Sequence, residues 1–118
     1  MREIGSRARR QPPPPWVVFE ALIRPDRDPA RAWLNLREDE QRPRVLESDE
    51  PSLVVWSTLW PTLPGAQIRF ELTSHEQETL LRWTLLTPAP LDDPRLVGYL
   101  RKRMNVMINA DLRFTFGQ

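Results

Sequence analysis

Asp93-Pro-Arg-Leu-Val-Gly-Tyr-Leu-Arg-Lys-Arg-Met-Asn-Val-Met-Ile-Asn-Ala-Asp-Leu112 is the one long stretch of the chain that keeps an apolar stripe at helical spacing. At ~100° per residue, Leu96, Val97, Leu100, Met104, Met107 and Ile108 fall within an arc of roughly 120°, the width of a helix packed on one face. Arg101, Lys102, Asn105 and Asn109 lie on the opposite side. Asp93 is placed as the N-cap and Pro94 as the first helical residue, where a missing N–H costs little. A helix of this kind has to bury its stripe, so the rest of the chain is read for the surface that covers it.

Working backwards, the period changes from 3.6 to two. Leu81, Trp83 and Leu85 alternate with Arg82 and Thr84, and Ile68, Phe70 and Leu72 alternate with Arg69, Glu71 and Thr73. This is the pattern of strands with one face in a core and the other wet. Ser74 to Gln77 is the turn that pairs them. Val45 to Ser48 and Leu53 to Trp60 are further strands, joined by a hairpin connection from Asp49 to Ser52. Both faces of Leu53 to Trp60 are apolar, so the direction of Trp56 stays open. Pro64-Gly65 fits a type II turn.

Nearer the start, Arg2 to Arg10 alternates loosely, with Ile4, Ser6 and Ala8 on one side and Arg7 and Arg9 on the other, and predicts a short edge strand of poor β-propensity. Four prolines end it, and the last opens a helix from Trp16 to Ile23 that buries Phe19, Leu22 and Ile23 and stops before Pro25. Asp28 and Pro29 repeat the cap-and-proline signal and predict a second short helix through Trp33 and Leu34. Arg37 to Arg44 has no apolar period and predicts a loop solvated for most of its length; its acidic trio Glu38, Asp39 and Glu40 could bind a cation but lacks the spacing and glycine of a calcium loop, so a solvated trio is expected. The expected class is α+β: a strand, two short helices, at least four antiparallel strands, then one long helix.

Composition bounds what such a chain does. The 118 residues suffice for one domain, expected to span 1–118. With 40% hydrophobic and 28% charged residues the sequence is that of a globular protein. Seventeen basic and sixteen acidic residues are interspersed, so no strong attraction to nucleic acid or anionic lipid is expected. There is no cysteine, which excludes disulfides and thiolate chemistry and makes a cytoplasmic setting the default. No apolar run approaches the ~20 residues that span a bilayer.

At this point the chain resembles the SRPBCC superfamily (START-like, Bet v 1-like), whose helix-grip fold wraps a curved antiparallel sheet around a C-terminal helix. Pro14, Pro15, Val18, Phe19, Leu22 and Pro25 match that family's proline-led first helix and its stop. Trp33 resembles a tryptophan of its second helix, and Val54 to Ser57 its central strand. Ile68 to Leu72, Thr79 and Leu81 to Thr84 are similar to its late hairpin. The chain departs from the pattern in its short length, its weak first strand and the absence of glycine from Ser74 to Gln77. The resemblance implies binding of a small apolar molecule between sheet and helix. Some members of the superfamily are polyketide cyclases and others are chaperone-associated regulators, and fold alone does not choose among these.

Few residues point to chemistry. His75, the single histidine, falls in a hairpin turn without a catalytic partner, and no nucleophile motif appears. No metal constellation or cofactor motif is evident, so none is expected. Arg101, Lys102 and Arg103 form a basic run without interleaved aromatics, read as a solvated face and not as a nucleic-acid site. Asp111 is the sharper case, because it falls near the middle of the apolar arc. Buried there, a carboxylate would be pushed toward its neutral form and could orient a ligand or act as a general acid; if the helix has frayed, it stands in water.

The expected ligand-binding set is Trp33, Trp56, Phe70, Trp83, Leu100, Met104, Met107 and Asp111, with no catalytic residue assigned. These rings and thioethers can line a pocket for a flat apolar molecule or fill it as core. The leading expectation is therefore a small-molecule binder. The alternatives are a cyclase or dehydratase-like enzyme using Asp111 with Arg82 or Arg69, and a closed-core interaction module with a protein partner or a second copy of itself.

Overall fold

The alternating segments pair into one sheet. The computed structural model describes residues 1–25 and 32–117. Its five strands are β1 (Arg2–Gln11), β2 (Val45–Asp49), β3 (Leu53–Ser57), β4 (Gln67–His75) and β5 (Glu78–Thr87), in the order β1-β5-β4-β3-β2 and antiparallel throughout. Cross-strand partners share a face. The pairs Ile68↔Leu85, Phe70↔Trp83 and Leu72↔Leu81 carry the buried face of the central hairpin, and Arg69, Glu71 and Arg82 stand exposed on the other.

The weak first strand forms in full because β5 supplies its partner from Arg2↔Thr87 to Gln11↔Thr79, with a register shift between Glu3 and Gly5. Tertiary pairing here outweighs local propensity. β3 ends at Ser57 rather than reaching Trp60, and Trp56 points into the core. Its indole N–H donates to the Leu22 carbonyl at 2.9 Å, its ring meets Phe70 edge-on at 4.7 Å, and Trp33 stacks on it at 6.0 Å. The Pro64-Gly65 turn is as expected, with Gly65 at φ +82° and Ala66 N–H donating to the Leu63 carbonyl.

Helix α1 (Pro15–Ile23) buries Val18, Phe19 and Leu22. The start expected for a second helix, Asp28 and Pro29, lies outside the described residues. Trp33 and Leu34, which that helix was expected to reach, have irregular backbone instead. Trp33 is fixed by tertiary contacts, its indole N–H donating to the Ala21 carbonyl at 2.8 Å.

The long helix starts at α2 (Pro94–Val106), where the Asp93 side chain accepts from Arg95 N–H as an N-cap. It continues without a break through a π-helical segment, Met107–Leu112, and a last α-turn, Arg113–Thr115. Leu100, Met104, Met107 and Ile108 are fully or almost fully buried in the same core as the sheet and α1. Five antiparallel strands gripping a long C-terminal helix make this a helix-grip fold. Among the described residues no helix is long and apolar enough to cross a membrane.

Candidate functional site

In a regular α-helix Asp111 would follow Met104 and Met107 along the centre of the stripe. The π segment changes this. Its i→i+5 bonding inserts one extra residue into the turn, so the stripe continues through Ile108 to Leu112, which is fully buried. Asp111 is turned to the margin, with 26% of its side chain exposed. It is neither in the middle of the core nor on a frayed end. A side chain from the sheet meets the altered turn: Gln11, fully buried, donates from Nε2 to the Ile108 carbonyl at 3.4 Å. Insertion of a side chain into the backbone ladder is a recognised cause of such irregularities.

Asp111 faces a charge pair that corrects the expected solvated faces. Arg103 is 2% exposed, and the Glu40 side chain is 0% exposed. Arg103 Nε donates to Glu40 Oε2 at 2.7 Å and Nη2 to Glu40 Oε1 at 2.9 Å. Nη2 also donates to the Asn35 carbonyl at 2.8 Å, and Nη1 lies 3.5 Å from Asp111 Oδ2. Backbone N–H of Arg37 donates to Glu40 Oε1 at 2.9 Å. The charge run from Arg37 to Arg44 is therefore not solvated throughout, because Glu40 folds inward to neutralise Arg103. Burial alone would lower the Arg103 pKa, but hydrogen bonding and charge from Glu40, with a smaller contribution from Asp111, raise it. The guanidinium is held charged and in a fixed orientation.

Beside this network lies an open cavity of about 580 Å³, with Trp33, Asn35, Ala110, Asp111, Phe114 and Thr115 in its walls. The irregular segment after residue 31 forms one side, and the π segment and last turn form the other. Trp33 is held by its bond to Ala21, Asp111 is set by the π turn and Arg103, and Phe114 projects with 77% exposure. The arrangement offers apolar surface with a carboxylate at one side.

Of the expected ligand-binding residues, Trp33 and Asp111 line this cavity. Trp56, Phe70, Leu100, Met104 and Met107, each at most 1% exposed, pack together in the core between sheet and helix. Trp83 is equally buried but borders a different groove, next to β1. Arg69 and Arg82, weighed as partners for Asp111, lie on the sheet's exposed face, where Arg69 approaches Glu71 at 3.9 Å and Arg82 donates to Ser6 Oγ at 3.1 Å. Asp111's basic neighbour is Arg103 instead. His75 closes β4 opposite Glu78. Among the described residues no group of three or more His, Asp or Glu is gathered as a metal site. Sequence reasoning missed Arg103, Glu40, Asn35, Ala110 and Phe114. Arg103 alone left a trace, being only about 20° outside the apolar arc.

No family model and no curated protein matches this sequence. Several solved structures do share its architecture. The solution structure of the Aha1 dimer from Colwellia psychrerythraea superposes with a TM-score of 0.70 at 18% identity, over 93% of this chain and 92% of that one. The crystal structure of CalU16 from Micromonospora echinospora gives 0.69 at 17% identity, over 93% of this chain and 73% of that one. The crystal structure of Ara h 8.0201 gives 0.62 at 13% identity, over 97% of both chains. At such identities the likeness is one of fold: the chain adopts a Bet v 1-like, helix-grip architecture.

Proposed function

We propose that the protein binds a small, largely apolar molecule in the cavity beside the π segment, with a hydrogen-bonding group of the ligand directed at Asp111. The observation that carries this reading is the cavity itself. About 580 Å³ falls within the ~300–1,000 Å³ usual for small-molecule sites, which combine apolar walls with few polar groups. Trp33 and Phe114 supply ring surface, and the Arg103 guanidinium, 3.5 Å from Asp111 Oδ2, sets a positive charge beside that carboxylate. The fold supports the reading only at the level of architecture.

The test is tryptophan fluorescence and thermal stability of the purified protein against a panel of flat aromatic polyketides and fatty acids. A ligand specific to the folded state stabilises it by about 2.7 kcal/mol at one hundred times its Kd. Phe114→Ser is expected to weaken that response without lowering the melting temperature of the free protein, and Asp111→Asn to weaken it with a small loss of stability, since Asp111 also faces the buried Arg103. A panel without any saturable response, or one whose response both variants leave unchanged, defeats the assignment.

A second reading, self-association through a sheet edge, rests on β2. All five residues of this edge strand are exposed, Val45 at 41% and Leu46 at 47%. Unpaired edges of this kind accept another strand. Light scattering that gives a dimer mass, lost on Leu46→Lys, would establish it; a monomer at high concentration would remove it.

A further inference from the structure

β1 and α2 enclose a groove of about 350 Å³ on another part of the surface, lined by Glu3, Gly5, Arg7, Trp83, Arg101 and Asn105 among others. Its construction is specific. The register shift between Glu3 and Gly5 leaves the Ile4 carbonyl free to accept from Arg101 Nε at 2.8 Å. Gly5 makes room for that arginine, since a Cβ at this position would stand 2.8 Å from Arg101 Cγ and 3.0 Å from its Nε. The guanidinium is thereby pinned by Nε, and its Nη groups have no partner among the described residues.

Two residues that line the groove each carry a buried side-chain atom without a protein partner, Trp83 at its indole N–H and Asn105 at its side-chain oxygen. Trp83 is only 1% exposed. Indole offers a donor and nothing else, and guanidinium offers donors and nothing else. A buried donor left unmade costs about 1–3 kcal/mol, so an acceptor brought to the Trp83 indole from the groove is stabilising. Arg7 adds a second positive charge at the rim against the single carboxylate of Glu3. A half-turn of the Asn105 amide exchanges its oxygen for its NH2 group, the assignment being set by what it bonds.

We propose that this groove is a binding site for a small oxyanion, a carboxylate or a phosphate. One ligand oxygen accepts from the Trp83 indole, and another accepts from the free Nη groups of Arg101. The site is independent of the cavity at Asp111 and of the function assigned there.

Sodium acetate and sodium phosphate are titrated into the 15N-labelled full chain, with sodium chloride at matched ionic strength as reference. The Trp83 indole resonance is identified by its loss in Trp83→Phe. It is expected to shift saturably with one or both oxyanions. Arg101→Gln keeps an exposed side chain of similar length and removes one charge-assisted bond, so it weakens binding about tenfold or more. Gly5→Ala, which displaces the guanidinium, also weakens it, and Glu3→Gln tightens it. Acetate alone acting identifies a carboxylate site, and phosphate acting identifies a phosphoryl site. An indole shift that chloride reproduces, that never saturates, or that persists unchanged in Arg101→Gln overturns the proposal.

Discussion

Replacing Glu40 by Gln tests the buried pair most directly, because it removes one charge at nearly constant volume. In the native protein the 0%-exposed carboxylate takes both close bonds from Arg103, at 2.7 and 2.9 Å. Without it, a guanidinium 2% exposed retains the Asn35 carbonyl at 2.8 Å and Asp111 at 3.5 Å, the latter beyond good hydrogen-bond length. Breaking a buried pair on one side typically costs about 3–5 kcal/mol, since a charge is left uncompensated. The surviving partners place Glu40→Gln near the lower end, about 3 kcal/mol. In urea, with a slope of about 1.5 kcal/mol per molar, that lowers the midpoint by roughly 2 M at unchanged slope. The double variant Glu40→Leu, Arg103→Met removes both charges and is expected within about 1 kcal/mol of the parent, because apolar replacement of a whole pair is often neutral. A Glu40→Gln loss below about 1 kcal/mol, or a double variant as destabilised as the sum of its singles, would refute the reasoning.

Tyr99, the chain's one tyrosine, donates to Asp39 Oδ2 at 2.7 Å, and this bond, with a smaller effect of burial, raises its pKa above 10.0. A raised folded-state pKa stabilises below the unfolded value and ceases to do so as pH rises through the folded one. Tyr99→Phe should thus be slightly less stable at neutral pH and lose that deficit in strong alkali, as followed by melting curves across pH; a deficit independent of pH would contradict the linkage. At the β4–β5 turn Glu76 and Gln77 have φ of 49° and 72°, a conformation costing non-glycine residues about 1–2 kcal/mol. Gln77→Gly should therefore stabilise by about 1 kcal/mol and raise Tm by several degrees, and an unchanged or lower Tm would exclude strain at this position. Met104, fully buried between sheet and helix, should cost about 2–5 kcal/mol on truncation to Ala. The void should then take up benzene, as dry apolar cavities do, and detection of benzene in the same place in the unmutated protein would show that the core is not closed.

The fold was legible because its signals are periodic. The stripe from Leu100 to Ile108 and the alternation of Ile68, Phe70 and Leu72 each state which face is buried, and the structure buries those faces. The phase of Leu53 to Trp60 was not legible, since both its faces are apolar, and Trp56 is fixed only by groups distant in sequence, Leu22, Trp33 and Phe70. The site was less legible for two reasons. Glu40 and Arg103 are 63 residues apart, and nothing local in a run of charges marks the one that turns inward. Asp111 was placed by extrapolating a regular helix across a segment that is not α-helical, and its cause involves Gln11, ninety-seven residues from Ile108.

The position of the cavity follows from the same irregularity. Leu100, Met104 and Met107 share one buried core with Trp56, Phe70 and Trp83 of the sheet. At the π segment the inserted residue keeps Leu112 in the core and carries Ala110 and Asp111 outward, toward the irregular segment that includes Trp33 and Asn35. A methyl group and a carboxylate occupy less volume than the side chains packed one turn earlier, and irregular backbone cannot close over them as a strand would. Space therefore opens where the helix stops following the sheet, next to Asp111, whose carboxylate lies 3.5 Å from the buried Arg103.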